Sequence, residues 1–187
     1  MKKLIALSLI PLLSGCLSAS SPRVSQWLLE YKGPVRATRL AKYEVGRVSQ
    51  VTVRSPYNEV GIAVLRADGS MAFDPYNEYA ANPTAMLRGF VFDAMDASGL
   101  FGSVVNSSSS VKSQAMSEIM VTRLALDCRT EGERKAVAAV QVRLIADDGK
   151  SLHAQGKGEA DAKGGNYGEA LSDALSTALN SAFAQFR

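Results

Sequence analysis

Val140-Gln141-Val142-Arg143-Leu144-Ile145-Ala146-Asp147-Asp148-Gly149-Lys150-Ser151-Leu152-His153-Ala154-Gln155-Gly156-Lys157-Gly158-Glu159-Ala160 is the stretch on which the fold turns. Val140, Val142, Leu144 and Ala146 alternate with Gln141, Arg143 and Asp147, and side chains two apart on a strand share a face. Asp148-Gly149 supplies the residue pair favoured in a tight hairpin turn. Beyond it Leu152, Ala154, Gly156, Gly158 and Ala160 continue the apolar side, while His153, Gln155 and Lys157 point away. A hairpin patterned this way belongs to a sheet with one covered face and one wetter face.

The cover follows directly. Tyr167, Ala170, Leu171, Ala174, Leu175, Ala178, Leu179, Ala182, Phe183 and Phe186 repeat at helical spacing, the stripe of an amphipathic helix about 30 Å long. Glu169, Ser172, Asp173, Ser176 and Asn180 fall on its opposite side. Gly156 and Gly158 lie on the strand face that such a helix would cover, where the missing side chains let it pack close. Upstream, Met120, Thr122, Leu124, Leu126 and Cys128 are expected on one strand face, with Arg123, Asp127 and Arg129 on the other. The run Ser107 to Ser110 reads as a loop.

Toward the N-terminus, Asn82-Pro83 opens a second helix, with a capping side chain before proline at the first helical position. Met86, Leu87, Phe90, Val91, Ala94 and Met95 form its stripe, and Gly99 closes it. Val60 to Arg66 and Met71 to Phe73 flank Asp68-Gly69, another hairpin signal. Val48 to Ser55 and Trp27 to Tyr31 complete the expected strands. The predicted fold is α+β, a largely antiparallel sheet with two helices packed on one face, as a single domain over residues 27–187.

Composition agrees with a folded chain. The 187 residues are 47% hydrophobic and 21% charged, too apolar for a disordered chain. No internal stretch approaches the roughly 20 apolar residues of a bilayer-spanning helix. The formal charge is +3, and Lys2 and Lys3 account for two of those charges. Nothing in that balance points to nucleic acid.

The first residues read as an address. Lys2 and Lys3 give a positive start, and Leu4 to Leu13 an apolar segment of export-signal length. Leu13-Ser14-Gly15-Cys16 resembles the bacterial lipobox, in which the cysteine is acylated and the chain is cut before it. Residues 1–15 are thus expected to be a lipoprotein signal peptide, with Cys16 the lipidation site and that covalent lipid the only prosthetic group. Several acyl chains anchor a protein far more firmly than one. Residues 16–26 hold Ser18, Ser20, Ser21, Pro22 and Ser25 and read as a tether spanning on the order of 17 Å. With Cys16 consumed, Cys128 is expected to be a buried free thiol.

No reaction centre is expected. His153 is the one histidine and faces outward. A zinc site would need three or four ligands, and none can be assembled from His and Cys here. Gly149-Lys150-Ser151 ends like a phosphate-binding loop, but Leu144 stands where its first glycine belongs. Gly156-Lys157-Gly158 lacks the third glycine of a dinucleotide fingerprint, and no serine sits in G-x-S-x-G. Two surface segments are candidates for contact. Arg36, Arg39 and Lys42, flanked by Lys32 and Arg47, are placed to meet anionic headgroups at about 1 kcal/mol per base. Tyr76, Asn77, Tyr79 and Pro83, in the Asp74-Pro75-Tyr76-Asn77-Glu78-Tyr79 segment and the helix start, form a candidate partner-binding loop.

The run from Gly61 to Val104 adds a resemblance. Gly61-Ile62-Ala63-Val64-Leu65-Arg66-Ala67-Asp68-Gly69-Ser70-Met71, then Tyr76-Asn77-Glu78-Tyr79-Ala80-Ala81-Asn82-Pro83, then Ser98-Gly99-Leu100-Phe101-Gly102-Ser103-Val104 is similar to the ABC-type transport auxiliary lipoprotein family, typified by paraquat-inducible protein C. That family also opens with a lipobox and then an aromatic-leucine strand, here Trp27-Leu28-Leu29. The resemblance implies a non-enzymatic accessory lipoprotein anchored in the outer membrane and facing the periplasm. Its implied partner is the mammalian-cell-entry (MCE) domain protein of an inner-membrane ABC lipid transporter, with a homo-oligomer as a further option. Service to another outer-membrane machine, such as lipopolysaccharide insertion, is the alternative.

Overall fold

The computed structural model describes residues 23–33 and 41–187. The signal segment, Cys16, Arg36 and Arg39 lie outside the described residues. The element order is β1 (Ser25–Trp27), β2 (Tyr43–Val53), β3 (Gly61–Arg66), β4 (Met71–Tyr79), α1 (Pro83–Ala97), β5 (Phe101–Val105), β6 (Ala115–Cys128), β7 (Lys135–Ala146), β8 (Ser151–Asp161) and α2 (Tyr167–Ala184).

Two helices pack on one mixed eight-stranded sheet, an α+β fold. The longest ladders, β6 with β7 and β7 with β8, are antiparallel, as the alternation at Val140–Ala160 requires. The sheet also has parallel pairs: β1 with β4, β2 with β5, β2 with β6, and β3 with β6. Strand β6 organises the whole. It pairs with β7 along one edge, while β2 and β3 share the other edge end to end.

Both helices form for the reasons their sequences give. The Asn82 side chain accepts from the Thr84 N–H at 3.0 Å, and Pro83 occupies the first turn. Gly99 has φ of 68°, the left-handed conformation that glycine adopts freely after a helix. The α2 stripe, Tyr167 to Phe183 with Phe186 beyond the helix, is wholly buried. It lies on β7 and β8, and the two glycines of β8 allow backbone contact. A Cβ placed on Gly156 would sit 1.8 Å from the Ala178 carbonyl oxygen, and one on Gly158 2.0 Å from that of Ala174. The main core joins these helices to the inner face of the sheet. A smaller cluster of Ala63, Ala125 and Val137, covered by Tyr57, Leu65 and Met71, lies apart from it.

The structure corrects several local expectations. In β6, Ala115, Ser117, Ile119 and Val121 are buried, and then Leu124 and Leu126. The parity flips because two steps from Val121 to Arg123 oppose a single step from Val140 to Ala139, a β-bulge. Met120 is therefore exposed and Thr122 only half-buried, rather than sharing the inner face with Leu124. Cys128 is half-buried, because it stands at the strand end beyond the packed interior. The strand expected over Trp27–Tyr31 ends at Trp27, and Leu28–Gly33 leaves the sheet to lie against α2. Hence Ser172 and Ser176 are buried rather than solvent-facing: their hydroxyls accept the backbone N–H groups of Glu30 (3.1 Å) and Lys32 (2.9 Å). Phe101–Val105, not foreseen as a strand, is an edge strand beside β2.

Candidate functional site

The candidate partner-binding segment is part of β4 rather than a free loop. Between Ala63–Phe73 and Gly61–Glu78 the β3–β4 register slips, so β4 carries extra residues that bulge outward. The Asp74 carboxylate folds this bulge, accepting from the Tyr76 N–H at 2.9 Å and the Asn77 amide at 3.0 Å. Such short polar loops close a turn without other support. The bulge presents Tyr76, which is 52% exposed. Asn77 turns the other way and accepts from the Trp27 indole N–H at 2.9 Å. Gln26 donates to Glu78 at 2.8 Å, which fastens β1 to the same strand.

Tyr79 and Pro83 cannot offer a surface. Tyr79 is 1% exposed, and its hydroxyl has no hydrogen-bond partner among the described residues. Burial pushes its phenol well above the ordinary value. Pro83 is buried at the start of α1. Of the four residues singled out from sequence, Tyr76 is the exposed one, and the fold sets the others to structural work. Val24, Leu28, Val60 and Phe73 are further exposed apolar side chains on β1, β3 and β4 or their flanks. Extending the β1–β4 register by one residue puts Val24 beside Tyr76.

The basic segment divides similarly. Lys42 donates its ammonium to the Phe186 carbonyl at 2.9 Å and lies over the Tyr43 ring. Lys32 pairs with Glu169 at 2.7 Å, and that hydrogen bond raises its pKa above the ordinary value. Arg47 is committed to the Asn106–Ser113 loop, donating to the carbonyls of Asn106 (3.1 Å), Ser109 (2.8 Å) and Val111. Arginine suits this task because its planar fork reaches several acceptors at once. The loop holding Ser107–Ser110 is therefore pinned from β2.

On the outer sheet face, Ser151 Oγ lies 3.4 Å from His153 Nε2 and accepts from Arg143 Nε at 3.0 Å. Arg143 reaches Glu118 at 3.4 Å. Both Ser151 and His153 are exposed. A nucleophile needs its base oriented by a third group, and among the described residues the His153 ring has no hydrogen-bond partner besides Ser151. No group of three or more His, Cys, Asp or Glu among the described residues could hold a metal ion. No helix among them is long and apolar enough to cross a membrane.

Sequence parity placed Arg123 and Lys157 outward, and the structure agrees. What it could not foresee is that Arg54, from the other side of β6, joins them along one cleft. The missing signal was the β6 bulge, since one extra residue leaves no mark on hydropathy.

Comparison with known proteins finds a shared fold. The chain is similar to a crystal structure from Xanthomonas campestris assigned to the family DUF330, with a TM-score of 0.62 and 15% identity. That match covers 87% of this chain and 98% of the other. An uncharacterised protein matches with a TM-score of 0.60 and 15% identity, covering 86% of this chain and 97% of that one. A PelC dodecamer from Paraburkholderia phytofirmans gives 0.44 at 14% identity, over 80% and 93% of the two chains. No family model matches the sequence, and no curated protein matches it.

Proposed function

We propose that this chain is an accessory lipoprotein of an MCE-type ABC intermembrane lipid transporter, held at the outer membrane through Cys16 and acting as a docking component without chemistry of its own. The observation that carries the proposal is the central segment from Gly61 to Val104, which resembles the transport auxiliary lipoproteins. The fold match to a DUF330 protein, a family of paraquat-inducible protein C-like members, supports it over nearly that protein's whole length. The lipobox at Leu13–Cys16 supplies the anchor.

Physical chemistry fits the role. The α2 helix is keyed backbone-to-backbone into β8, and the 28–33 segment is bonded to it, which ties the start of the described chain to its last helix. Tyr76 stands out from it on a bulge near the start of the described chain. Tyrosine is enriched at protein interfaces because its ring buries area at low entropic cost while the hydroxyl finds a partner.

Two measurements test this. Mass spectrometry of the native protein should find Cys16 N-terminal and acylated, and an unmodified thiol there removes the anchor. Detergent-solubilised envelope should yield an MCE-domain protein with the tagged full chain, and a Tyr76→Ala variant should recover less of it. Repeated purification with no MCE protein overturns the docking role whatever the state of Cys16.

A further inference from the structure

The sheet face away from the helices carries a cleft of about 380 Å³ where β2, β6, β7 and β8 lie side by side. Four cationic side chains line it: Arg54, Arg123, Arg129 and Lys157. Two carboxylates share the lining, Asp127 and Glu159. Asp127 is occupied: Arg129 grips it with contacts of 2.9 and 2.6 Å, and that hydrogen bond holds its pKa below the ordinary carboxylate value. Arg54 and Lys157 have no carboxylate in hydrogen-bond or ion-pair contact among the described residues, and Arg123 acts on Asp127 through its charge without a hydrogen bond to it. The cleft is therefore positive on balance.

Register fixes how these cations stand. Arg123 is opposite Ala139, and Ala139 is opposite Lys157. Two strand steps separate Arg123 and Lys157 by about 9.6 Å along the sheet, with only a methyl group between them. Arg54 enters from the far side, where its N–H donates to the Val121 carbonyl at 2.9 Å. The bulge makes this row. Ile119 and Val121 face the core, so unbroken alternation would send Arg123 there also. The extra residue turns Arg123 outward instead, as bulges commonly re-aim a side chain.

We infer that this cleft binds a phosphate group, carried on a lipid headgroup or free in solution. Cations arriving from three strands suit a tetrahedral group with several free oxygens better than a planar carboxylate, and a guanidinium matches phosphate with paired donors. The inference needs neither the anchor nor the MCE partner, so its failure and theirs are separate events.

The test uses the full chain in a non-ionic detergent and isothermal titration calorimetry with three probes. These are inorganic phosphate, dihexanoyl phosphatidic acid below its micelle concentration, and acetate. Saturable binding of phosphate or of the lipid is expected, weakened about tenfold or more by Arg123→Gln or Lys157→Gln. Arg143→Gln, on the same face outside the cleft, should stay within about twofold, as screened surface charges do. Tighter binding of the lipid assigns a headgroup, and equal or tighter binding of inorganic phosphate assigns a soluble ligand. Amide shifts at residues 122–124, 139 and 157 of the unaltered chain give a readout independent of any variant's folding. No saturable heat with either phosphate probe, acetate binding as well as phosphate, or an equal loss in Arg143→Gln overturns the inference.

Discussion

Replacing Gly156 with alanine should cost far more than one methyl group suggests. The new Cβ would lie 1.8 Å from the Ala178 oxygen and 3.0 Å from the Ala182 nitrogen. Ordinary carbon–oxygen contact begins near 3.3 Å, so α2 must lift by about 1.5 Å. Neither neighbour can swing aside, because both are backbone atoms inside a helix. Lifting α2 loosens Leu171, Leu175 and Leu179 from the core together. Overpacking typically costs 1–3 kcal/mol and occasionally more, and this backbone clash belongs at about 3 kcal/mol or above. For a domain of this size that is a fall in Tm of about 6–12 °C. Urea and thermal denaturation followed by circular dichroism read it directly. Gly158→Ala, 2.0 Å from Ala174 O, should behave alike, and the double variant should cost less than the sum because one displacement relieves both clashes. Gly164→Ala is the control, since its Cβ would meet nothing within 4 Å. A Gly156→Ala protein within about 0.5 kcal/mol of the parent would refute the reasoning, for it would mean that the helix is not seated on the strand.

Further outcomes follow from other contacts. Ser176→Ala leaves the Lys32 N–H without its acceptor and should cost about 1–2 kcal/mol in urea unfolding; a neutral result would show that the 28–33 segment does not rest on α2. Arg47→Ala removes the donor to four loop carbonyls, so amide exchange across residues 106–113 should accelerate, and unchanged rates would count against the clamp. Tyr79→Phe deletes a buried hydroxyl with no partner and should leave Tm equal or higher; a loss beyond about 1 kcal/mol would reveal an unseen partner. The same phenol predicts a pH effect. Its folded-state pKa is raised from 10.0 by burial, so its stabilising contribution is complete below pH 10 and declines as pH climbs toward the folded value. Ultraviolet titration should show a phenol that ionises only on alkaline unfolding and that Tyr79→Phe removes, and a titration unchanged by that variant refutes this.

Sequence patterns revealed the elements whose hydrophobic period is unbroken. The stripe from Tyr167 to Phe186 buries one continuous face, and the Val140–Ala160 alternation does so except at the hairpin end, where Leu152 is exposed and Ala146 half-buried; both elements formed where the pattern put them. Patterns failed where geometry changes without a change in polarity. Met120 and Thr122 suit an inner face chemically, and only the bulge moves them off it. Ser172 and Ser176 read as solvent-facing hydroxyls, yet a segment some 140 residues earlier in the chain takes them as acceptors. Phe101–Val105 buries Phe101 but exposes Gly102 and Ser103, too little for a strand signature. The parallel pairings were invisible for a related reason, since no local residue encodes a partner so far along the chain. At the candidate site, Tyr76 and Tyr79 look equivalent in sequence, and only the β4 slip separates the exposed ring from the buried one.

The placement of β6 between β7 on one side and β2 with β3 on the other has a consequence for assembly. Gly46 pairs with Ala115 and Val64 with Leu126, so the early strands have their central partner only once β6 has been made. Synthesis proceeds from the N-terminus, and until residue 128 emerges β2 and β3 expose unpaired edges that invite wrong neighbours. By contrast β6, β7, β8 and α2 follow one another through short turns and can zip together from local contacts, the faster route. The later elements thus offer a template onto which β2 and β3 settle.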